Sequence, residues 1–230
     1  MKVIGLIGGL SWESSAEYYR LINELVREKL GGLHSTECVM YSFDFEEIEA
    51  LQSAGKWAEA TQRMIQAAQR VERGGADFVL ICSNTMHKMA DEVQRSINIP
   101  LLHIADATAE QILKCNMKRI GLLGTRFTMD EDFYKGRLTD KYSLDVIVPE
   151  ADARRIVNSV IYDELCRGEI NPRSKQQYVE IMRDLVAKGA EGIILGCTEI
   201  TLLVNQQDSS VPLFDTTAIH AQVAVEYALA

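Results

Sequence analysis

Cys197 stands in Gly196-Cys197-Thr198-Glu199, directly after the apolar run Gly192-Ile193-Ile194-Leu195. Such a run reads as a buried strand, which predicts a thiol at a strand end, close to the start of the next helix. A helix N-terminus favours thiolate, so the position predicts a thiol pKa below the ordinary ~8.5. The competing expectation is a cysteine packed as a small apolar group beneath the loop. Ser83 follows a second buried strand, residues 78–82, within Cys82-Ser83-Asn84-Thr85-Met86-His87. Asn84, Thr85 and Thr198 are short donors beside these two positions. They suit a bound carboxylate, and serve equally well as helix caps or turn residues. Thr125 closes another apolar run and can bind or cap. His87 lies one helical turn from Ser83, as a surface or capping histidine or a site residue. His34, His103 and His220 are scattered without metal-ligand spacing.

Other motifs exclude more than they assert. Gly5-Leu6-Ile7-Gly8-Gly9 lacks both the G-x-G-x-x-G spacing and the lysine of a phosphate loop. The glycines are expected to let backbone N–H groups approach a small anion. Five cysteines, at 38, 82, 115, 166 and 197, form no C-x-x-C pair. An odd count at wide spacing predicts reduced thiols and a cytoplasmic setting. Net charge is −9, from 24 basic and 33 acidic residues. With no basic stripe, nucleic acid is not an expected partner. No apolar run approaches the ~20 residues of a membrane span, and no signal peptide is apparent.

The elements that must carry these residues repeat. Lys2-Val3-Ile4-Gly5-Leu6-Ile7-Gly8 resembles Lys118-Arg119-Ile120-Gly121-Leu122-Leu123-Gly124. Gly75-Ala76-Asp77 through Thr85 resembles Gly189-Ala190-Glu191 through Glu199, and Ile99-Pro100-Leu101-Leu102 resembles Val211-Pro212-Leu213-Phe214. Three matches in one order predict a duplicated half-chain. The repeat aligns Ser83 with Cys197 and Cys82 with Gly196. Cys82 is therefore read as buried structure, since a one-residue slip turns a side chain to the other face.

Strands are expected at residues 2–7, 78–82, 101–104, 119–123, 145–148 and 192–195. Helices are expected at 13–30 with Ser11 as N-cap, 57–74, from 108, 130–141, 156–167, 174–188 and 218–229. Alternating strands and helices imply crossovers and parallel pairing. The fold class is α/β: two similar lobes, each a parallel sheet flanked by helices, related by a pseudo-two-fold. Residues 1–104 plus 215–230 form one lobe and 105–214 the other. Ligands of such sheets sit beyond the strands' carboxyl ends, which places Gly8–Trp12, Ser83–Thr85, Thr125 and Cys197–Glu199 at those edges. A cleft between the lobes would then bring Ser83 and Cys197 together.

On three segments the chain resembles the aspartate/glutamate racemase family: Ile4-Gly5-Leu6-Ile7-Gly8-Gly9-Leu10-Ser11-Trp12-Glu13-Ser14, Ser83-Asn84-Thr85-Met86-His87, and Gly196-Cys197-Thr198-Glu199. Family members carry C-N-T-x-H and G-C-T-E at the last two places. The resemblance implies an isomerase without pyridoxal phosphate, other cofactor or metal. Its substrate would be a small acidic amino acid, aspartate or glutamate, flanked by two cysteines: one removes the α-proton and the other returns one to the opposite face. Cys197 takes the role of base for the L-form. Ser83 stands where the family usually has cysteine. A hydroxyl can donate a proton but is a poor base near neutral pH. That implies a naturally asymmetric enzyme, or a serine introduced to slow turnover.

Leu10, Gln52, Asn84, Thr85, Thr125, Thr198 and Glu199 are the expected substrate-binding residues. Gln52 is the candidate for the side-chain carboxylate, in the absence of a basic counterpart. The resemblance also implies a homodimer joined through helices of the first lobe. Two alternatives share the strand-end thiol or the two lobes: a dicarboxylate isomerase or malonate decarboxylase of the same superfamily, and an amino-acid-binding protein weakened in catalysis.

Overall fold

A computed structural model describes all residues, Met1–Ala230. In chain order the elements are β1 (Ile4–Gly8), α1 (Trp12–Leu30), β2 (Cys38–Ser42), α2 (Phe45–Ser53), α3 (Trp57–Arg73), β3 (Phe78–Ile81), α4 (Ala90–Arg95), α5 (Ile104–Lys114), β4 (Arg119–Gly124), α6 (Arg126–Asp130), α7 (Asp132–Tyr142), β5 (Asp145–Ile147), α8 (Ala151–Ser159), α9 (Pro172–Ala187), β6 (Gly192–Gly196), α10 (Ile200–Leu203), β7 (Leu213–Asp215) and α11 (Thr216–Leu229). The chain divides into two compact units: Met1–Ile104 with His220–Ala230, and Ala105–Ile219. The α/β class with two parallel sheets is as expected.

In the first unit the strand order is β2-β1-β3, all parallel. In the second it is β5-β4-β6-β7, also parallel. Strands β1, β3 and β6 are buried along their whole length. Continuous burial is why their sequences run apolar instead of alternating. Ile4, Leu6, Phe78 and Leu80 pack on Tyr18, Ile22 and Val26 of α1 and on Ala221, Ala224 and Val225 of α11. The opposite face packs Ile7, Val79 and Ile81 on Ala60, Met64, Ala67 and Val71 of α3. These α3 residues are the spaced apolar positions that mark the helix in the sequence.

The internal repeat is visible at atomic level. Asp77 N donates to Val3 O at 2.9 Å, and Glu191 N to Arg119 O at 2.8 Å. Val79 N donates to Pro100 O at 2.8 Å, and Ile193 N to Pro212 O at 2.9 Å. Gly75 and Gly189 leave α3 and α9 with φ of 95° and 94°, a backbone region that favours glycine.

Several expectations need correction. Residues 101–104 do not form a strand: a single bridge, Val79 to Leu101, stands where the second unit has β7. Histidines take the next backbone groups instead, since Leu102 O accepts from the His220 ring and Ile104 N donates to the His87 ring. Strand β2 and helix α2 were not anticipated. β2 is only partly buried and carries no clear apolar period. The expected helix at 130–141 is two helices, broken at Glu131, whose ψ is 156°. The expected helix at 156–167 is the end of α8 followed by a π turn at Val160–Glu164 and a 3-10 turn at Leu165–Arg167.

Candidate active site

In each unit the parallel strands bring their carboxyl ends to one edge of the sheet. In the first unit, β1 and β3 pair through Ile7 and Ile81, so Gly8–Ser11 and Cys82–Thr85 leave the sheet side by side. Ser11 caps α1 by accepting from Ser14 N, and Ser14 Oγ donates to Cys82 O at 3.0 Å. Gly9 N donates to Ser15 Oγ at 2.7 Å. A Cβ on Gly9 would lie 2.2 Å from Phe43 N. The close approach that demands glycine at position 9 is to the Phe43 backbone. Leu10 is buried in the same apolar cluster as Phe43 and Met86.

Ser83 is partly exposed at the end of β3, and its Oγ accepts from Met86 N at 3.4 Å. Asn84 and Thr85 are buried and open the 3-10 turn Thr85–Met89. Gln52, buried near the end of α2, donates Nε2–H to Met86 Sδ at 3.1 Å, which brings it to the same turn. Cys82 is fully buried, and burial pushes its thiol pKa up. A buried thiol of that kind stays protonated and inert.

His87 is buried, which corrects the surface expectation, and it caps, since its ring accepts from the first N–H of α5. Ile104 N–H must donate to His87 Nε2, at 3.2 Å. The ring proton therefore sits on Nδ1, which donates to Ser83 O at 2.7 Å. His87 thus fixes the Ser83 carbonyl. His103 and His220 join it, with ring centroids 4.5 and 5.9 Å from His87. His220 Nδ1 accepts from Tyr18 OH at 2.8 Å, and Nε2 donates to Leu102 O at 2.9 Å. Burial pushes its pKa down to about 4, against the Leu102 bond that raises it. Sequence separation hides this trio, because 87, 103 and 220 share no element and no motif. No group of three or more His, Cys, Asp or Glu residues is arranged to hold a metal.

In the second unit, Gly124 pairs with Gly196, so Thr125 and Cys197 leave neighbouring strands together. Thr125 caps α6 by accepting from Thr128 N at 3.4 Å, and its hydroxyl lies 3.2 Å from Thr128 Oγ1. Capping is thus its visible role. Thr198 O accepts from Thr201 Oγ1 at 2.8 Å. Cys197 is partly exposed, and its Sγ donates to Glu199 Oε2 at 2.9 Å. Glu199 is buried.

The thiol pKa is raised well above its ordinary value by burial first and then by the Glu199 charge, with Cys166 adding to it. This overturns the expected depression. The helix after Cys197, α10, has only four residues, a weak source of positive potential. Cys166 and Tyr178 share the apolar cluster around Cys197, and neither was anticipated. Tyr178 OH donates to Val157 O at 2.9 Å. No Lys or Arg is among the buried residues of either unit.

Residues 7–224 match the sequence profile of the Asp/Glu/Hydantoin racemase family. The broad specificity amino-acid racemase RacX of Bacillus subtilis is 25% identical over 172 residues, which is 75% of this chain and 74% of that one. A glutamate racemase from Persephonella marina is 26% identical over 141 residues, 60% of this chain and 52% of its own. Among solved structures, a Yersinia pestis protein provisionally named an Asp/Glu racemase is 54% identical over the whole of both chains, with a TM-score of 0.94. An aspartate racemase homologue from Pyrococcus horikoshii is 38% identical over the whole of both chains, with a TM-score of 0.87.

Proposed function

This chain belongs to the Asp/Glu/hydantoin racemase family, as an isomerase of the kind that uses no pyridoxal phosphate, and on that premise we propose that it interconverts the L- and D-forms of an acidic amino acid, aspartate or glutamate. Cys197 is the base for the L-form and Ser83 the opposing proton donor. The thiolate of Cys197 takes the α-proton, and the electron pair spreads into the substrate's α-carboxylate. Ser83 then gives its hydroxyl proton to the other face of the α-carbon.

The observation that carries this reading is the matched pair of strand ends. Cys197 directly follows Gly196, the last paired residue of β6, and Ser83 lies two residues beyond Ile81, the last paired residue of β3, so the two leave the carboxyl ends of strands that the internal repeat aligns. With no buried cation, the substrate carboxylates fall to neutral donors such as Asn84, Thr85, Thr125, Thr198 and Gln52, aided by backbone N–H groups. Such donors, together with backbone N–H groups, can hold an anion without a cation.

The lack of a buried Lys or Arg also favours a second reading, turnover of a wider range of amino acids, in line with the description of RacX as a broad specificity amino-acid racemase. One experiment addresses both. L- and D-aspartate, L- and D-glutamate and a panel of neutral and basic amino acids are incubated in D₂O, and α-proton exchange is followed by NMR with chiral analysis. Exchange confined to the acidic pair supports the first reading, and exchange across the panel the second. Cys197→Ala should abolish exchange while circular dichroism and Tm are kept; full activity in that variant overturns both. For assembly, we propose a homodimer joined through α1.

A further inference from the structure

The Cys197 thiol faces a difficulty. A base must be a thiolate, yet burial and the neighbouring carboxylate both hold the proton on sulfur. The groups recorded as acting on it offer no cation: Cys166 on the 3-10 turn Leu165–Arg167, Tyr178 on α9 and Glu199 are neutral or acidic. Ser174 Oγ on α9 donates to Glu164 at 2.8 Å, and Asp215 accepts from Thr217 N and Ala218 N at the start of α11.

One neighbour is placed to solve the difficulty. Glu199 Oε2 lies 2.9 Å from Cys197 Sγ, and the carboxylate is buried at the same strand end. The Glu199 backbone N–H also donates to the sulfur, which favours the charged thiolate.

We propose that Glu199 is not a substrate-binding residue but the positioning residue that takes the thiol proton of Cys197 and holds it beside the sulfur during turnover. The proposal rests on Cys197 being the base, as read above. The proton moves from Sγ–H to the carboxylate, leaving a thiolate and a neutral carboxyl. The new O–H then donates back to the sulfur across the same contact. The thiolate takes the substrate's α-proton and becomes a thiol again. Ser83 gives its hydroxyl proton to the carbanion, and the proton on Glu199 resets the serine alkoxide by way of solvent. Charge and protons return to their starting count. Because one proton is shared by two sites, the thiolate share is set by the pair and not by bulk pH while the pair holds that single proton.

Two measurements separate this role from the others. In the first, carbamidomethylation of Cys197 by iodoacetamide, without substrate, is followed by mass spectrometry of its peptide between pH 6 and 8. The native chain should react at a nearly constant rate, whereas Glu199→Gln should show a rate rising about tenfold per pH unit, as for an isolated thiol. Equal slopes overturn the proposal. In the second, α-proton exchange of the L-substrate is measured. Glu199→Gln should lower kcat about 100-fold at pH 7 with KM changed less than about threefold, recovering as pH rises, and Glu199→Asp should restore part of it. A raised KM with an unchanged pH profile would return Glu199 to substrate binding, and a pH-independent loss would leave it a structural role; either overturns the proposal. If no amino acid exchanges at all, the racemase reading fails, and the alkylation profile still decides the pairing.

Discussion

At the level of single residues, the asymmetry between a thiol and a hydroxyl sets the direction of turnover. Abstraction from an L-substrate uses Cys197 as base and asks Ser83 only to donate. Abstraction from a D-substrate asks a hydroxyl to act as base, which its high pKa opposes. Initial rates should favour the L-form, with the equilibrium still racemic because kcat and KM compensate. Ser83→Cys should raise the D-to-L rate by roughly tenfold or more, read by chiral chromatography. Cys82→Ala, at a fully buried site, should leave both directions within about twofold and cost only about 1 kcal/mol of stability. Lost activity in Cys82→Ala would place the second acid/base on the wrong residue. His220 gives a different, pH-linked prediction. Its folded-state pKa of about 4 lies below the ordinary 6.5. Above pH 6.5 the ring is neutral in both states and adds no pH dependence. Between 6.5 and 4 only the unfolded chain takes the proton, so stability falls as the medium is acidified. Urea unfolding at pH 5 should show about 2 kcal/mol less stability than at pH 7 from this group. His220→Phe should be less stable at pH 7, having lost the Tyr18 bond, but should show a smaller change on going to pH 5. An equal change in the two proteins would remove His220 as the cause.

Among the elements, glycine positions test how the strand end of β1 is built. Gly9 and Gly55 have nearly the same φ, 70° and 69°, but different surroundings. A Cβ at Gly9 would strike Phe43 N and O at 2.2 and 2.3 Å, whereas one at Gly55 meets nothing within 4 Å. Gly55→Ala should cost about 1 kcal/mol, and Gly9→Ala about 3 kcal/mol or more, because backbone cannot yield as a side chain can. Urea midpoints of the two variants check this, and similar losses would mean that the contact is not what fixes Gly9. The sheet cores, α1 and its Ser11 cap, α3 and the duplicated halves could be read from the sequence because burial writes apolar runs and helical periods into it. The Ser83 and Cys197 positions could be read because the repeat aligns them. Strand β2 could not, since a partly buried edge strand has weak patterning. Nor could the bridge at Leu101 or the π turn before Cys166, where side chains from distant residues decide the path of the backbone. The Cys197–Glu199 contact lay in plain sight as G-C-T-E, but only coordinates show that the carboxylate turns toward the sulfur and raises the thiol pKa.

For the whole molecule, assembly is the property with the plainest surface signature. Trp12, Tyr19 and Leu30 are 69%, 51% and 44% exposed along α1. Their separations of 7 and 11 residues fall within about 20° of one line on a 100° per residue helix, so they form a single stripe roughly 27 Å long. Leu33, in the loop just beyond, is fully exposed and extends it. Asn23 lies on the same line between Tyr19 and Leu30, most other large apolar side chains of the chain are buried, and exposed apolar side chains gathered on one face mark an interaction surface. Charged residues border it, with Arg20 paired to Glu17 and Glu24, the apolar-centre and polar-rim arrangement of a protein interface. Two copies of one stripe pack against each other by a two-fold without needing a second patch. Light scattering at micromolar concentration should therefore give twice the 25.8 kDa chain mass. Tyr19→Glu combined with Leu33→Asp should give the single-chain mass, with circular dichroism unchanged because both side chains lie at the surface. A native protein that scatters as a monomer, or a double variant that remains dimeric, would rule out this stripe as the contact.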